Sequence, residues 1–415
     1  MRILQLPSYC FPETISSSHL AKDRNQAFAN ANYDMVVYTP TPCRGINKEE
    51  RKKYSSKEYR KEIMYDGKMT VHRFPLFAEG KNPIIRALRY SLCWLIQLWY
   101  GFKVKNIDCV FLASTPPIQG MLGAFIRKIR HIPFVYNLQD IFPDSLAGSG
   151  LAKKGGLLWK IGRVIENFTY RNADKIIVIS EDFKRNIMAK GVPEEKIEVI
   201  YNWVDENAVK PVNDEDNPLF DEFDVSREKF RVVYAGNLGN AQNIQIIMDA
   251  ATRLLEHNDI QFIIFGKGGL ESEIRKQIDE KNLTNIKLLP LQPYERVSYV
   301  YSLGNVDVVS CKSGLGGSAM PSKTWSIMST GRPVLASFDE GELKDILEKN
   351  HCGVFTQANN IDEFVGAIEY LSDNRDLCLE LGRNGRKFIM ENLTKEVGTK
   401  KYVDVIKQFE GKRYC

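Results

Sequence analysis

Short apolar segments rich in valine and isoleucine alternate along the chain with longer segments of helical period. Nearly continuous apolar segments are typical of strands buried on both faces of a sheet, and helices between them predict an α/β protein with parallel sheets. The predicted strands are Ile3–Leu6, Met35–Thr39, Val71–Phe74, Cys109–Ala113, Phe134–Leu138, Lys175–Ser180 and Ile197–Tyr201 in the first half, and Arg231–Gly236, Ile260–Gly266, Ile286–Leu291, Val306–Cys311, Pro333–Ser337 and Gly353–Thr356 in the second.

An acidic stretch between Asp205 and Asp224 divides this pattern into two parts. The stretch has little apolar surface to bury and contains Pro211 and Pro218, so it is typical of a linker or a surface excursion. The sequence therefore predicts two doubly wound domains, at residues 1–205 and 229–385, joined by an acidic linker at 206–228. Residues 386–415 are predicted to form a C-terminal helix that returns to the first domain.

The composition is that of an ordinary globular protein, with 43% hydrophobic and 26% charged residues among 415. A net charge of +5 is too small and too scattered to indicate nucleic-acid binding, but it is compatible with an anionic ligand or membrane surface. The eight cysteines and five histidines are dispersed, so no metal site is expected. Residues Met1–Pro7 hold too short an apolar run for a signal peptide, which predicts a cytoplasmic protein.

The segment Ile84–Tyr100 is unusually apolar but shorter than the ~20 residues that a membrane-spanning helix needs. One interpretation is a buried core helix. The other is a helix that lies in the headgroup region of a membrane and is attracted by anionic lipids, with Trp94, Trp99 and the basic run at Arg51–Lys53 contributing to the contact. The sequence does not favour either.

The strongest chemical signal lies between Val306 and Ser329. A predicted strand ends at Cys311, a loop with Gly314, Gly316, Gly317 and Ser318 follows, and Pro321 stands where a helix would begin. Converging backbone N–H groups at such a loop and helix start favour an anion. A lysine in the first helical turn opposes the helix dipole, so Lys323 indicates a bound anion. The alternative is a plain tight turn with an exposed lysine.

Two further loops follow predicted strands. The residues Gly236–Asn243 suit a close approach of the backbone to a ligand, although neither a dinucleotide fingerprint nor a P-loop is present. Asp140 follows the strand at Phe134 and could face a cleft, where it would accept a proton or orient a hydroxyl; alternatively it caps the following helix. The triplet Asp214–Asp216 is interpreted as solvated surface of the acidic stretch.

Across essentially its whole length the chain resembles glycosyltransferase family 4, and within it the branch that builds bacterial O-antigen and capsular polysaccharide. The motifs that carry this resemblance are Phe11-Pro12-Glu13 with Ser16-Ser17, Ser114-Thr115-Pro116-Pro117, Gln139-Asp140-Ile141-Phe142-Pro143-Asp144, Ala173–Ser180, Lys190-Gly191-Val192-Pro193, Tyr234–Gly239, Pro321-Ser322-Lys323 and Gly331–Ala336. The resemblance implies a GT-B fold, in which two Rossmann-like domains face each other, the first binding the acceptor and the second the nucleotide-sugar.

The resemblance also implies roles for individual residues. Gly236–Gln242 and Gly316–Lys323 would hold the donor's diphosphate, while Gly266–Gly269 and Leu289–Leu291 would receive the base and ribose. The implied donor-binding residues are Ser16, Ser17, Gly236, Asn237, Gln242, Gly266, Gly316, Gly317, Ser318, Ser322 and Lys323, and the implied catalytic residues are Asp140 and Lys323.

Three departures from the family's common pattern concern charge and loop flexibility. Asn237 and Gln242 stand where the family has a phosphate-binding Arg and Lys, Ser318 and Ser326 stand where it has a pair of Glu, and Ser16-Ser17 replaces a Gly-Gly. With these replacements, more of the diphosphate's negative charge must be neutralised by Lys323 and the backbone N–H groups.

The expected activity is transfer of a sugar, with retention of configuration and without a metal or cofactor, from a nucleotide-sugar to a lipid-linked acceptor in O-antigen or capsule synthesis. A UDP-N-acetyl or UDP-deoxyamino sugar is the expected donor. The expected location is the inner face of the plasma membrane, bound peripherally to its anionic surface. The alternatives are a non-catalytic nucleotide-sugar-binding subunit and a nucleotide-sugar epimerase of the same fold.

Overall fold

The computed structural model describes residues 1–13, 18–80, 82–145, 153–316 and 320–411. It contains two compact units: Met1–Tyr201 with Gly398–Cys415, and Asn202–Val397. Each unit has a largely or wholly parallel sheet with helices, which confirms the predicted α/β fold class. The units are called unit 1 and unit 2 below.

Unit 1 is built on an eight-stranded sheet in the order β3-β4-β2-β1-β5-β6-β7-β8, in which only β3 is antiparallel to its neighbour. The strands are β1 (Arg2–Gln5), β2 (Asp34–Pro40), β3 (Lys61–Met64), β4 (Met69–Phe74), β5 (Cys109–Ala113), β6 (Phe134–Leu138), β7 (Lys175–Val178) and β8 (Ile197–Val199). The helices are α1 (Ser18–Asn30), α2 (Lys48–Tyr54), α3 (Pro83–Lys103), α4 (Gln119–Arg130), α5 (Leu157–Asn172) and α6 (Glu181–Ala189).

Unit 2 has a six-stranded parallel sheet in the order β11-β10-β9-β12-β13-β14. Its strands are β9 (Phe230–Asn237), β10 (Ile260–Lys267), β11 (Ile286–Pro290), β12 (Val306–Ser310), β13 (Val334–Phe338) and β14 (Gly353–Gln357). Its helices are α7 (Leu219–Glu222), α8 (Gln245–Arg253), α9 (Glu271–Glu280), α10 (Val297–Ser302), α11 (Lys323–Ser329), α12 (Glu342–Lys349), α13 (Ile361–Asp373) and α14 (Arg375–Asn392).

In both sheets the strand order reverses beside the first strand of the unit. In unit 1, Leu4 of β1 pairs with Val36 of β2 on one side and with Val110 of β5 on the other. In unit 2, Val232 of β9 lies between Phe262 of β10 and Val306 of β12. Connections leave such a point in opposite directions, which opens a crevice at the carboxyl ends of the two strands, where α/β proteins bind ligands.

The acidic stretch differs from the expected linker, because it packs onto unit 2. Leu219 and Phe220 of α7 are buried, and the Asn217 side chain donates a hydrogen bond to the Tyr299 carbonyl at 2.8 Å. Asp214 is not merely solvated: it forms a 2.7 Å ion pair with the buried Arg231. A few apolar residues among the acids, Val209, Leu219 and Phe220, are buried, which the mean composition of the stretch conceals.

The residues predicted as one C-terminal helix form parts of two helices. The first, α14, packs within unit 2, where its Arg386 donates to the Ser329 carbonyl at 2.8 Å. The second, α15 (Lys395–Lys407), passes from unit 2 into unit 1, to which the chain belongs from Gly398 onward.

Helix α3 is 21 residues long and turns polar residues inward. Arg89, Cys93 and Gln97, spaced one turn apart, are at most 1% exposed. Gln97 donates to the carbonyls of Pro7 and Tyr38 at 2.9 and 3.0 Å, so its burial is compensated by hydrogen bonds.

Most apolar residues of α3 lie on the opposite side and are exposed, so the interpretation as a buried core helix is wrong for them, whereas Trp94 and Leu98 pack against the core. These exposed residues are Ile84, Ile85, Leu88, Leu92, Leu95, Trp99 and Phe102, here called the α3 stripe. Among the described helices, none has both the length and the apolar character to traverse a bilayer.

The close approach of α14 to the backbone at Gly331 predicts that two glycine variants in unit 2 differ in stability. A Cβ on Gly382 of α14 would lie 2.0 Å from the Gly331 carbonyl oxygen, whereas a Cβ on Gly366 of α13 would meet nothing within 4 Å. We expect Gly382→Ala to lower the free energy of unfolding by about 1–3 kcal/mol, because the clash is with backbone. The matched control Gly366→Ala should raise it by up to ~1 kcal/mol through helix propensity. Urea unfolding measures both, and equal effects would contradict the packing described.

Candidate functional site

The strongest candidate site in unit 2 lies at the crevice between β9 and β12. The loops that follow the two strands are joined there by two hydrogen bonds. The Ser310 hydroxyl donates to the Gln242 carbonyl at 2.6 Å, and the Lys312 N–H donates to the Ala241 carbonyl at 2.9 Å. The sequence predicted both loops, and the structure brings them together.

Lys323 is the first residue of α11, and its ammonium group is enclosed in this crevice. The Nζ atom lies 3.9 Å from the centroid of the Tyr234 ring, a cation–π distance. It makes no hydrogen bond in the part of the chain that the structure describes. Burial therefore lowers the pKa of Lys323 to about 7, because the charged form loses water and gains no anionic partner. The interpretation as an exposed lysine on a plain turn is wrong.

Gly236 makes the position of this lysine possible. Its φ of +147° lies in the region that favours glycine. A Cβ at Gly236 would also stand 2.9 Å from the Lys323 Nζ atom, so any other residue would displace the ammonium group. Glycine is thus required at this position both by the positive φ angle and by the closeness of the Lys323 ammonium group.

Asn237 and Gln242 bind each other in the loop after β9. The Asn237 amide donates to the Gln242 side-chain carbonyl at 3.2 Å, and the Tyr234 hydroxyl donates to the Asn237 carbonyl at 2.8 Å. Gly266 lies opposite Gly236 in the sheet, and its missing side chain makes room for Leu238. The loop therefore presents neutral amide groups around one buried cation.

The glycine-rich loop after β12 differs from the expected anion cradle. The N–H groups of Gly314 and Gly316 both donate to the Asp339 carboxylate, at 2.8 and 2.9 Å. These two amides are therefore not free to bind a phosphate. Sequence reasoning missed Asp339, although its place directly after β13 was a usable signal. Ser322 precedes α11 and is exposed, without a capping hydrogen bond from its side chain.

Several predicted residues, Ser16, Ser17, Gly317 and Ser318, lie outside the described residues, so their roles stay predictions. Within the described ranges, no group of three or more His, Cys, Asp or Glu side chains could hold a metal ion.

Asp140 lies in unit 1, just beyond the carboxyl end of β6. Its carboxylate accepts a hydrogen bond from the Ser145 hydroxyl at 3.0 Å and, among the described residues, none from a backbone N–H. The side chain is exposed, yet the surrounding protein removes enough water to raise the pKa of Asp140. The preceding Gln139 is fixed by its N–H, which donates to the Ser114 hydroxyl at 2.9 Å.

Two family models match successive parts of the chain. The model described as Glycosyltransferase Family 4 matches residues 22–208, and the model described as Glycosyl transferases group 1 matches residues 217–388. The first falls mainly on unit 1 and the second on unit 2.

Curated relatives and solved structures agree with these matches. A protein of Escherichia coli (strain K12), named as the colanic acid biosynthesis glycosyl transferase WcaI, is 26% identical over 67% of this chain and 69% of its own. WbjE of Pseudomonas aeruginosa, named as a glycosyltransferase, is 24% identical over 80% and 81%. The crystal structure of Anabaena HepE in complex with UDP superposes with a TM-score of 0.71 at 15% identity, covering 98% of this chain and 99% of HepE.

The buried ammonium of Lys323 predicts a dependence of stability on pH. Between about pH 7 and 10 the unfolded chain binds a proton at this lysine that the folded protein has released, so the free energy of unfolding contributed by this group rises with pH. We expect Lys323→Met to be more stable than the wild type at pH 6, with a smaller difference at pH 9. Urea unfolding at both values measures this. The exposed Lys312→Met is the control, and a pH-independent difference for Lys323→Met would contradict the assignment.

Proposed function

The chain belongs to the family 4 glycosyltransferases, and from that premise we propose that it transfers a sugar, with retention of configuration, from a UDP-sugar to a lipid-linked acceptor in the synthesis of a cell-surface polysaccharide. The observation that carries the proposal is the buried ammonium of Lys323 at the crevice of unit 2, which has no hydrogen-bond partner among the described residues. An enclosed cation without an anion is costly in the free protein and becomes favourable when a diphosphate supplies the counter-charge.

The donor is proposed to bind in unit 2. Its diphosphate would lie against Lys323, while the amide groups of Asn237 and Gln242 offer neutral hydrogen bonds where an Arg and a Lys are usual in this family. As the bond between sugar and phosphate breaks, negative charge grows on the leaving diphosphate, and an ammonium in a water-poor site stabilises that charge. Binding of the anion raises the pKa of Lys323, so the lysine is protonated when it acts.

The proposal of UDP rests on a structural neighbour, and the proposal of polysaccharide synthesis rests on relatives. HepE was crystallised with UDP, and the name of WcaI refers to colanic acid biosynthesis. We propose an N-acetyl or deoxyamino hexose as the transferred sugar, and a reaction that needs no metal or other cofactor. We propose that the acceptor binds at the carboxyl edge of the unit 1 sheet, near Gln139 and Asp140.

The activity is tested by incubating the protein with UDP-sugars, with and without a lipid-diphosphate acceptor, in the presence of EDTA. We expect transfer to the lipid, with the anomeric configuration retained. Asp140→Asn should lower turnover by roughly 10²–10⁴ while donor affinity changes little, because the substitution removes a proton acceptor and keeps the size of the side chain.

Other outcomes of this assay contradict the proposal in distinct ways. Donor binding without turnover identifies a binding subunit, and isomerisation of the donor without transfer identifies an epimerase. Unchanged turnover of Asp140→Asn removes that residue from the reaction, and loss of activity in EDTA that added metal restores shows that a metal is required.

Attachment to the inner face of the plasma membrane is proposed to use the α3 stripe. Its members Ile84, Leu88 and Trp99 are 77%, 54% and 52% exposed. From Leu88 the members of the stripe follow one another at three or four residues, at Leu92, Leu95, Trp99 and Phe102, which places them along one side of the helix, an arrangement typical of helices that lie in a membrane interface.

A second exposed apolar group lies on α5 and was not anticipated from the sequence. It consists of Leu157, Leu158, Ile161 and Val164. Helix α4 packs against both α3 and α5, because the ring of Phe125 contacts that of Trp94 on α3 and that of Phe168 on α5, with centroids 6.0 and 5.0 Å apart. The exposed lysines Lys103, Lys153, Lys154 and Lys160 border these surfaces and suit anionic headgroups.

Membrane binding through the α3 stripe predicts that lipid charge, salt and a charge introduced into the stripe all change the affinity for vesicles. We expect the wild type to co-sediment with vesicles of phosphatidylglycerol and phosphatidylethanolamine, and less so as salt is raised from 0.1 M, where the Debye length is already ~10 Å. Leu88→Glu should weaken binding because it places a charge in the apolar contact. Leu379→Glu is the matched control, since Leu379 is 55% exposed on α14 of unit 2. Equal binding of the two variants, or binding indifferent to lipid charge, would refute the proposed surface.

A further inference from the structure

Unit 1 contains a second buried cation that no part of the proposed reaction uses. Arg24 lies on α1, the helix that follows β1, and is 8% exposed. Its guanidinium carbon is 4.5 Å from the centroid of the Phe111 ring on β5 and 5.9 Å from that of Tyr402 on α15. Because β1 and β5 are the strands beside which the strand order reverses, Arg24 lies near the point where a unit of this type binds its ligand.

The guanidinium has no anionic partner among the described residues. It forms no ion pair and donates no hydrogen bond there, and its Nε atom is enclosed without a partner. Burial lowers the pKa of Arg24, and the titratable groups that interact with it electrostatically are Tyr402, Tyr65 and Cys10, which are neutral at pH 7. Two aromatic faces attract a cation only weakly compared with the cost of removing it from water.

Neutral hydrogen-bonding groups lie beside this cation. The Tyr402 hydroxyl donates to the Asn137 side-chain carbonyl at 3.1 Å, and the Gln139 amide donates to the same oxygen at 3.0 Å. Asn137 and Gln139 lie at the carboxyl end of β6, directly before Asp140. An aromatic, amide and hydroxyl surface of this kind suits a sugar ring. These groups are neutral, so they do not neutralise the guanidinium of Arg24.

We propose that Arg24 binds an anionic group, a carboxylate or a phosphate, on the acceptor that occupies unit 1. The inference rests on the proposed glycosyl transfer, in which this unit receives the acceptor. A guanidinium presents parallel N–H groups that match the two oxygens of a carboxylate or phosphate. The anion could be the carboxylate of an acidic sugar or a phosphate of the lipid carrier, and both meet the same requirement for charge and geometry.

The full-length protein, titrated in a thermal-shift assay, distinguishes a ligand-binding role from a structural one. The probes are D-glucuronate for the carboxylate, inorganic phosphate for the phosphate, and neutral D-glucose as the control. We expect at least one anion, and not glucose, to raise the unfolding temperature of the wild type. Arg24→Met should weaken that anion's apparent affinity by about tenfold to a hundredfold, the range for a charge-assisted hydrogen bond. Arg24→Lys should retain part of it.

The stability of Arg24→Met without ligand provides a separate measurement. If the arginine is kept for binding, replacing a buried, unpaired charge by an apolar side chain of similar length should leave the unfolding temperature unchanged or raise it. A response to glucuronate alone identifies an acidic sugar, and a response to phosphate alone identifies the lipid carrier. The proposal is overturned if neither anion stabilises the wild type, if Arg24→Met responds like the wild type, or if Arg24→Met loses stability with no selective loss of anion binding.

Failure of this inference can be told apart from failure of the proposed function. Lys323→Ala should lose the response to UDP and keep the response to the anion, because the two cations belong to different units. A wild type that binds UDP and transfers sugar, but ignores both anions, rejects the role of Arg24 alone. A wild type that binds the anions but not UDP rejects the proposed donor.

Discussion

The free-energy cost of removing a cation from water must be offset by an anion or by good packing. This constraint explains the arrangement of the candidate site in unit 2. Lys323 reaches the crevice because Gly236 leaves space for its ammonium and Tyr234 offers a ring face. The Asp339 carboxylate accepts hydrogen bonds from the N–H groups of Gly314 and Gly316, and among the described residues the Lys323 ammonium has no hydrogen-bond partner. The charge of the lysine is therefore available to a ligand. The lowered pKa of Lys323 reflects the free-energy cost of burying the ammonium group without an anion.

The same arrangement recurs in unit 1 with different residues. Arg24 lies over Phe111 beside the first strand, as Lys323 lies over Tyr234. Parallel strands bring their carboxyl ends to one edge, and reversal of the strand order beside the first strand opens a crevice there. Each unit thus places an aromatic ring under a cation close to its own ligand-binding edge, which is consistent with two substrates that both carry negative charge.

Helix α3 shows that a hydrophobic sequence need not be a hydrophobic core. On its buried side, Arg89 and Gln97 donate hydrogen bonds to the carbonyl groups of Phe77 and Tyr38, and most of its apolar residues are left on the surface. Exposed apolar area of this extent is unfavourable in water and indicates a partner surface. The proposed membrane contact satisfies that requirement, and it would bring the proposed lipid-linked acceptor to the same unit that holds Arg24 and Asp140.

The sequence by itself determined the alternation of strands and helices, the two crevice loops and the place of Lys323, because these depend on local period and on residues near one another in the chain. It also identified the family, through motifs spread over the whole length. Only the tertiary structure decided that Asp339 occupies the glycine amides, that the acidic stretch packs through Asp214 and Arg231, and that Arg24 is enclosed by Phe111 and Tyr402. These pairings join residues distant in sequence, and burial and charge compensation are set by what each side chain meets across that distance.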